Sequence, residues 1–184
     1  MKVIDFYNNT NGSNWTNNTA WNTNTPVSSW YGVTTQVINN QEHVTGISFN
    51  DNNLFPSINT SIEDLTELRE FFIVNVSNQF GAGGTIPAEV GNLQNLTSFW
   101  IENWNLQGSL PTEIGNLNTL EFLTIRGTSC SGTLPSSLAN LNALFSLSLN
   151  SNQFSGLFPD ITSISSSLSF LRIQDNLFQY VDDV

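Results

Sequence analysis

Positive charge is nearly absent from this 184-residue chain: Lys2, Arg69, Arg126 and Arg172 oppose fifteen acidic residues, for a formal charge of −11. Nucleic acids and anionic lipids demand clustered Lys and Arg, so neither is an expected partner. Cysteine is scarcer still. Cys130 stands alone, which excludes an internal disulfide and reads as a small buried apolar thiol. His43 is the one histidine; with no Ser, Cys or second His at a motif spacing, it reads as a solvent-facing turn residue just before the first strand. Gly81-Ala82-Gly83-Gly84 lacks the lysine and the following helix of a phosphate loop. The carboxylates are scattered: Asp51 and Asp175 sit singly in turns, and no loop collects the several oxygens that Ca²⁺ requires. These absences argue against an enzyme, a cofactor and a metal site. No apolar run reaches the length of a membrane-spanning helix, so no direct membrane insertion is expected, and Met1–Asp5 is too short and too acidic for a signal peptide.

What the chain has instead is Asn, Ser, Thr and a repeat. Leu141–Pro159 overlays Leu117–Pro135, and the apolar residue before each proline recurs from Leu110 to Leu134 to Phe158, a period of 24. A period in the twenties with L-x-x-L-x-L-x-x-N-x-L spacing indicates a leucine-rich repeat solenoid. Each unit carries an apolar pair at i and i+2: Ile47/Phe49, Phe71/Ile73, Phe99/Ile101, Leu123/Ile125, Leu147/Leu149 and Leu171/Ile173. That alternation predicts short strands buried on one face, stacked into a parallel sheet, with the rest of each unit returning along the outside. The fold class is thus an α/β repeat with a parallel sheet on the concave face and short 3-10 or helical turns and loops outside. Gly84, Gly108, Gly132 and Gly156 mark bends, the prolines at 87, 111, 135 and 159 spare a donor, and Glu89–Leu93 and Glu113–Leu117 predict single helical turns ended by glycine. The turn position held by Asn52, Asn152 and Asn176 is occupied by Val76, Trp104 and Thr128 in the middle units, which must hold their backbone by other means. Unit two is longer, Ile58 to Ile86 being 28, with the excess within Gln79–Gly83. Such an insertion is a surface excursion or a binding loop.

Residues 1–43 do not repeat. They hold Phe6, Tyr7, Trp15, Trp21, Trp30 and Tyr31 in an otherwise polar segment, as expected of a cap over the first repeat; residues 44–184 make about six units, the last incomplete. The L-x-G-x-I-P repeat resembles the plant-type leucine-rich repeat of receptor-kinase ectodomains and polygalacturonase-inhibiting proteins. The entry Phe6-Tyr7-Asn8-Asn9-Thr10-Asn11-Gly12-Ser13-Asn14-Trp15 with Trp30-Tyr31-Gly32-Val33 resembles the caps of related surface proteins in bacteria and protists. Plant caps are normally stapled by cysteines and this one is cysteine-free, so the resemblance is to bacterial surface proteins of the Bacteroidetes type. It implies a ligand-binding scaffold that is secreted or at the cell surface. The sixth unit, from Leu168, stops after its strand and turn without a polar capping segment, so the expectation is either a longer chain with further repeats or a minimal cap made by Phe178, Tyr180 and Val181. The seven Asn-x-Ser/Thr sequons at Asn8, Asn11, Asn14, Asn17, Asn59, Asn75 and Asn95 suit a glycosylated surface, but a chain this rich in these residues generates them by chance.

Solenoid curvature puts the strand side inward, so the outward-pointing strand residues define the expected binding surface. The central row reads Ser48, Phe72, Trp100, Thr124, Ser148 and Arg172. The row before holds Glu70 and Phe122, and the row after holds Val74, Glu102 and Arg126. Phe72, Val74, Trp100 and Phe122, with Glu70, Glu102, Arg126 and Thr124 around them, are the candidate site for a protein or carbohydrate ligand, because exposed aromatics inside a charged rim make interaction hot spots and sugar platforms. The plainer alternative is that these rings merely stabilise the sheet as ladder neighbours. Two other functions remain open: a structural spacer without its own ligand, and an ice- or surface-binding protein, which would present a flat row of threonines.

Overall fold

The computed structural model describes residues 3–75 and 83–179. Val76, the inserted residues Gln79–Ala82 and the tail Tyr180–Val184 lie outside them. In chain order the strands are β1 (Val33–Ile38), β2 (Gln41–Asn50), β3 (Glu70–Val74), β4 (Ser98–Glu102), β5 (Gln107–Gly108), β6 (Phe122–Arg126), β7 (Ser129–Thr133), β8 (Ser146–Ser148), β9 (Gln153–Gly156), β10 (Phe170–Arg172) and β11 (Leu177–Phe178).

The long sheet runs β1-β2-β3-β4-β6-β8-β10, and all its pairs after the first are parallel. Its register follows the repeat: Gly46 faces Glu70, Ser98 faces Phe122, and Phe122 faces Ser146, each a step of 24. Glu70 faces Ser98, a step of 28, so the register of the sheet holds across the longer second unit. In units two to five the alternating apolar residues point inward: Phe71, Ile73, Phe99, Ile101, Leu123, Ile125, Leu147 and Leu149 are at most 1% exposed, whereas Leu171 of the sixth unit is exposed and Ile173 half-buried. Each such burial contributes about 1.5–3 kcal/mol, and each depends on a neighbouring unit to complete it.

On the return path Pro87, Pro111 and Pro135 each precede a 3-10 turn, Ala88–Asn92, Thr112–Asn116 and Ser136–Asn140. Proline's fixed φ suits a helix entry and its missing N–H leaves no orphan there. The glycines do not end these turns as the sequence suggests. Gly91 and Gly115 lie inside them, and a Cβ on either would sit 2.4 Å from a carbonyl oxygen of the next unit, Glu113 and Ser137 respectively. Close stacking of the units, not helix termination, requires glycine here.

A second parallel sheet, β5-β7-β9-β11, lies where the sequence shows only bends. Its strands are two to five residues long, too short for an alternating pattern to register. Gly108, Gly132 and Gly156 in this segment sit at φ 78°, 79° and 76°, where a side chain would be strained. The asparagine positions behave as the spacing implies. The Asn152 amide donates to the Ile125 and Leu149 carbonyls at 2.7 and 2.9 Å and its oxygen accepts the Thr128 N–H at 3.0 Å, while Asn176 repeats the bond to Leu149 one unit on. Trp104 substitutes bulk for the ladder: it is fully buried and its indole N–H donates to the Leu54 carbonyl at 3.1 Å.

The non-repeating entry begins with helix α1 (Val3–Asn9) and ends in the antiparallel hairpin β1–β2. The hairpin turns through Asn39 and Asn40, both at positive φ, the two-residue connection that matches strand twist. His43 therefore lies within β2, opposite Gln36, rather than in a turn before the strand. Trp15, Trp21 and Trp30 are 4–5% exposed and pack as a ring cluster on Phe49, with Trp15 4.7 Å from it. Their indole N–H groups donate to the Thr10, Tyr31 and Thr25 carbonyls, so each ring is buried without an unpaired donor.

Candidate ligand-binding face

Strands β3, β4 and β6 carry the candidate residues, and the period-2 rule that buries Phe71, Phe99 and Leu123 turns their neighbours to the opposite face. Phe72 and Trp100 are cross-strand partners with ring centroids 5.5 Å apart and planes tilted by 33°. Both are half-buried, so Trp100 stands on the sheet surface and not in the core. Its indole N–H donates to Glu102 Oε2 at 3.3 Å. The other oxygen of Glu102 accepts from Arg126 Nη2, an ion pair with side-chain exposures of 16% and 38%. In that exposure the pair contributes little stability, at most about 1 kcal/mol, and its effect is to orient Trp100 and Arg126. Val74 completes this side of the face opposite Glu102.

Phe122 does not join the Phe72–Trp100 pair. It stands in the adjoining row, with Ser98 between it and Glu70, and its ring meets Phe145 at 5.9 Å; Phe145 in turn meets Phe170 at 5.3 Å. The face therefore carries two aromatic runs where the sequence suggests one cluster. Between them lies an open hollow of about 510 Å³ bounded by Phe72, Phe122, Glu70 and Glu121. Thr124 sits in the row as expected, between Trp100 and Ser148, but is only 2% exposed. A short side chain sunk among longer ones offers a ligand no surface, so Thr124 is corrected from a contact to a supporting residue. Sequence reasoning missed Phe145, 41% exposed, and Glu121, because both precede the strand rows that alternation defines. Extending each row by one residue toward the chain start would have found them.

Among the described residues no buried side-chain nitrogen or oxygen lacks a hydrogen-bond partner. Cys130 is fully buried, and desolvation pushes its thiol up to about 11 despite the opposing Thr128 hydroxyl. The amide of Asn75 is only 8% exposed and donates to the Asn103 carbonyl, so this sequon cannot carry a glycan in the folded chain. Among the described residues no three His, Cys, Asp or Glu side chains are grouped to hold a metal, and no helix is long and apolar enough to cross a membrane.

No family model matches the chain, and no curated protein sequence does. Solved structures do. A plant ice-binding protein superposes with a TM-score of 0.80 at 23% identity over 96% of this chain and 55% of its own. The ectodomain of BIR2 from Arabidopsis thaliana gives 0.73 at 21% identity, over 96% of this chain and 93% of its own. The plant peptide hormone receptor RGFR1, solved in complex with RGF2, gives 0.58 at 33% identity over 66% of this chain and 19% of its own. This chain thus spans about a fifth of that receptor's length and about half of the ice-binding protein's. The parallel strand ladder with its 24-residue step, the short 3-10 turns behind it and these superpositions together define the fold as a leucine-rich repeat solenoid.

Proposed function

We propose that this chain is a non-enzymatic recognition module of a secreted or cell-surface protein, with residues 1–43 as its cap and residues 44–184 as its repeat array. It binds a protein or peptide ligand through the strand face of units two to four. The observation that carries this reading is the Phe72–Trp100 pair: two large rings half out of the core, held against each other and oriented by the Glu102–Arg126 pair. Rings fixed before the ligand arrives lose little ordering entropy on binding. The superposition on a hormone receptor solved with its peptide supports a protein ligand over a glycan. The cysteine-free entry favours a bacterial or protist surface protein as its kin.

Ice binding is the second reading, favoured by the extent of the superposition on the ice-binding protein. The flat threonine row it needs is broken: Thr85 and Thr133 alternate with Ser109 and Leu157, and Thr124 is buried. The experiment is a screen of the purified chain against extracellular protein extracts and a glycan array, beside a folded Phe72→Ser/Trp100→Ser variant, with a thermal-hysteresis assay in parallel. Protein binding lost in the variant supports the proposal. Binding retained there moves the site elsewhere, thermal hysteresis supports the second reading, and no activity of either kind favours a spacer.

A further inference from the structure

We propose that the hollow between Phe72 and Phe122 receives a cationic group, so that the ligand is a peptide or protein segment presenting Lys or Arg beside an apolar residue. This rests on the reading that the strand face of units two to four is the binding face. The two phenyl rings wall the hollow, Glu70 and Glu121 stand at its edges, and the hydroxyls of Ser48 and Ser98 line it.

The charge balance distinguishes this hollow from the rest of the face. Glu102 is neutralised by Arg126, whereas no cation among the described residues lies within ion-pair distance of Glu70 or Glu121. Carboxylates alone would be an ordinary solvated surface. Here they share a concavity with aromatic faces, whose negative quadrupole attracts an ammonium or guanidinium and repels an anion. The remaining lining supplies hydroxyl oxygens, which accept the N–H groups such a cation carries. A neutral sugar would use the rings but leave both carboxylates unpaired, and an anionic partner would be opposed by them. The apolar residue beside the cation has its own seat, since Trp100 lies 5.5 Å from Phe72 on the far side of the hollow's wall. The overall charge of −11 speeds encounter with a basic partner before any contact forms.

A random linear peptide display library panned on the wild-type chain tests this, beside Glu70→Gln/Glu121→Gln and Phe72→Ser/Trp100→Ser variants checked for unchanged circular dichroism and unfolding midpoint. The glutamine changes are nearly isosteric at exposed positions, so folding is not at issue for them. Wild-type selections should be enriched in Lys or Arg next to an apolar residue. The best of these peptides should bind the glutamine variant about tenfold or more weakly. Replacing its Lys or Arg by Gln should cost the same on the wild type and little further on the glutamine variant, the signature of a direct pair. Selections without basic enrichment, or equal affinity for the glutamine variant, overturn the cationic assignment; the binding face itself then stands if the serine variant still loses the peptide. Selections that survive the serine variant unchanged, or no selection on any form, overturn both.

Discussion

The first and the last described stretches of the solenoid differ in how their apolar residues are covered. At the start, β1 covers the edge of β2 and a ring cluster closes over Phe49, which is 1% exposed. At the far end of the described chain, Phe170, Leu171 and Leu177 are 52%, 46% and 65% exposed. Leu171 is the repeat equivalent of Leu147, which is 1% exposed, and the two are direct partners across β8 and β10. The same residue type in the same repeat position is core in one unit and surface in the next. In a one-dimensional stack, a position's contribution is set by its neighbours on both sides rather than by its own side chain.

The largest effect that would sharpen this contrast is removal of the first closure. Trp15→Ala should cost about 3–5 kcal/mol of unfolding free energy, read by denaturant titration, because the ring sits at the centre of the cluster over Phe49 and leaves a cavity there. Leu147→Ala should cost about 2–5 kcal/mol, with loss of amide protection in the units on either side. An unchanged midpoint for Leu147→Ala would break the strand register and every assignment of faces with it. Burial of Cys130 contributes next, and through pH. Its folded pKa of about 11 stands above the usual 9.0, so above pH 9 the unfolded chain releases a proton that the folded chain keeps, and stability falls as pH rises through that window. The loss should approach about 2 kcal/mol near pH 11, and a Cys130→Ala variant should show a correspondingly flatter profile in pH-dependent melts. Leu171→Ala should cost the least, below about 1 kcal/mol, although it deletes the same atoms as Leu147→Ala. Equal costs at the two leucines would contradict the contrast between a buried position and an exposed one.

Strand positions and register were legible because alternation and a 24-residue step are both carried by side chains large enough to leave a pattern, as Phe71/Ile73 and Leu123/Ile125 do. From register, the pairing of Phe72 with Trp100 followed directly. What stayed illegible depends on depth and on backbone approach, neither of which a row of letters records. Thr124 is buried by the size of its neighbours, and Phe145 and Glu121 reach the face from outside the alternating segment. Gly91 and Gly115 are required by carbonyls of the next unit, a contact with no local signature. The outer sheet is built from strands of two to five residues whose side chains need not alternate.

The most direct test of the account is a hydroxyl-radical footprint of the chain with and without a bound partner from the screen. The account predicts protection of Phe72, Trp100, Phe122 and Phe145 on the strand face, with the outer-side Leu157 and the buried Leu147 unchanged. Protection of the outer side with Phe72 and Trp100 still reactive would contradict it.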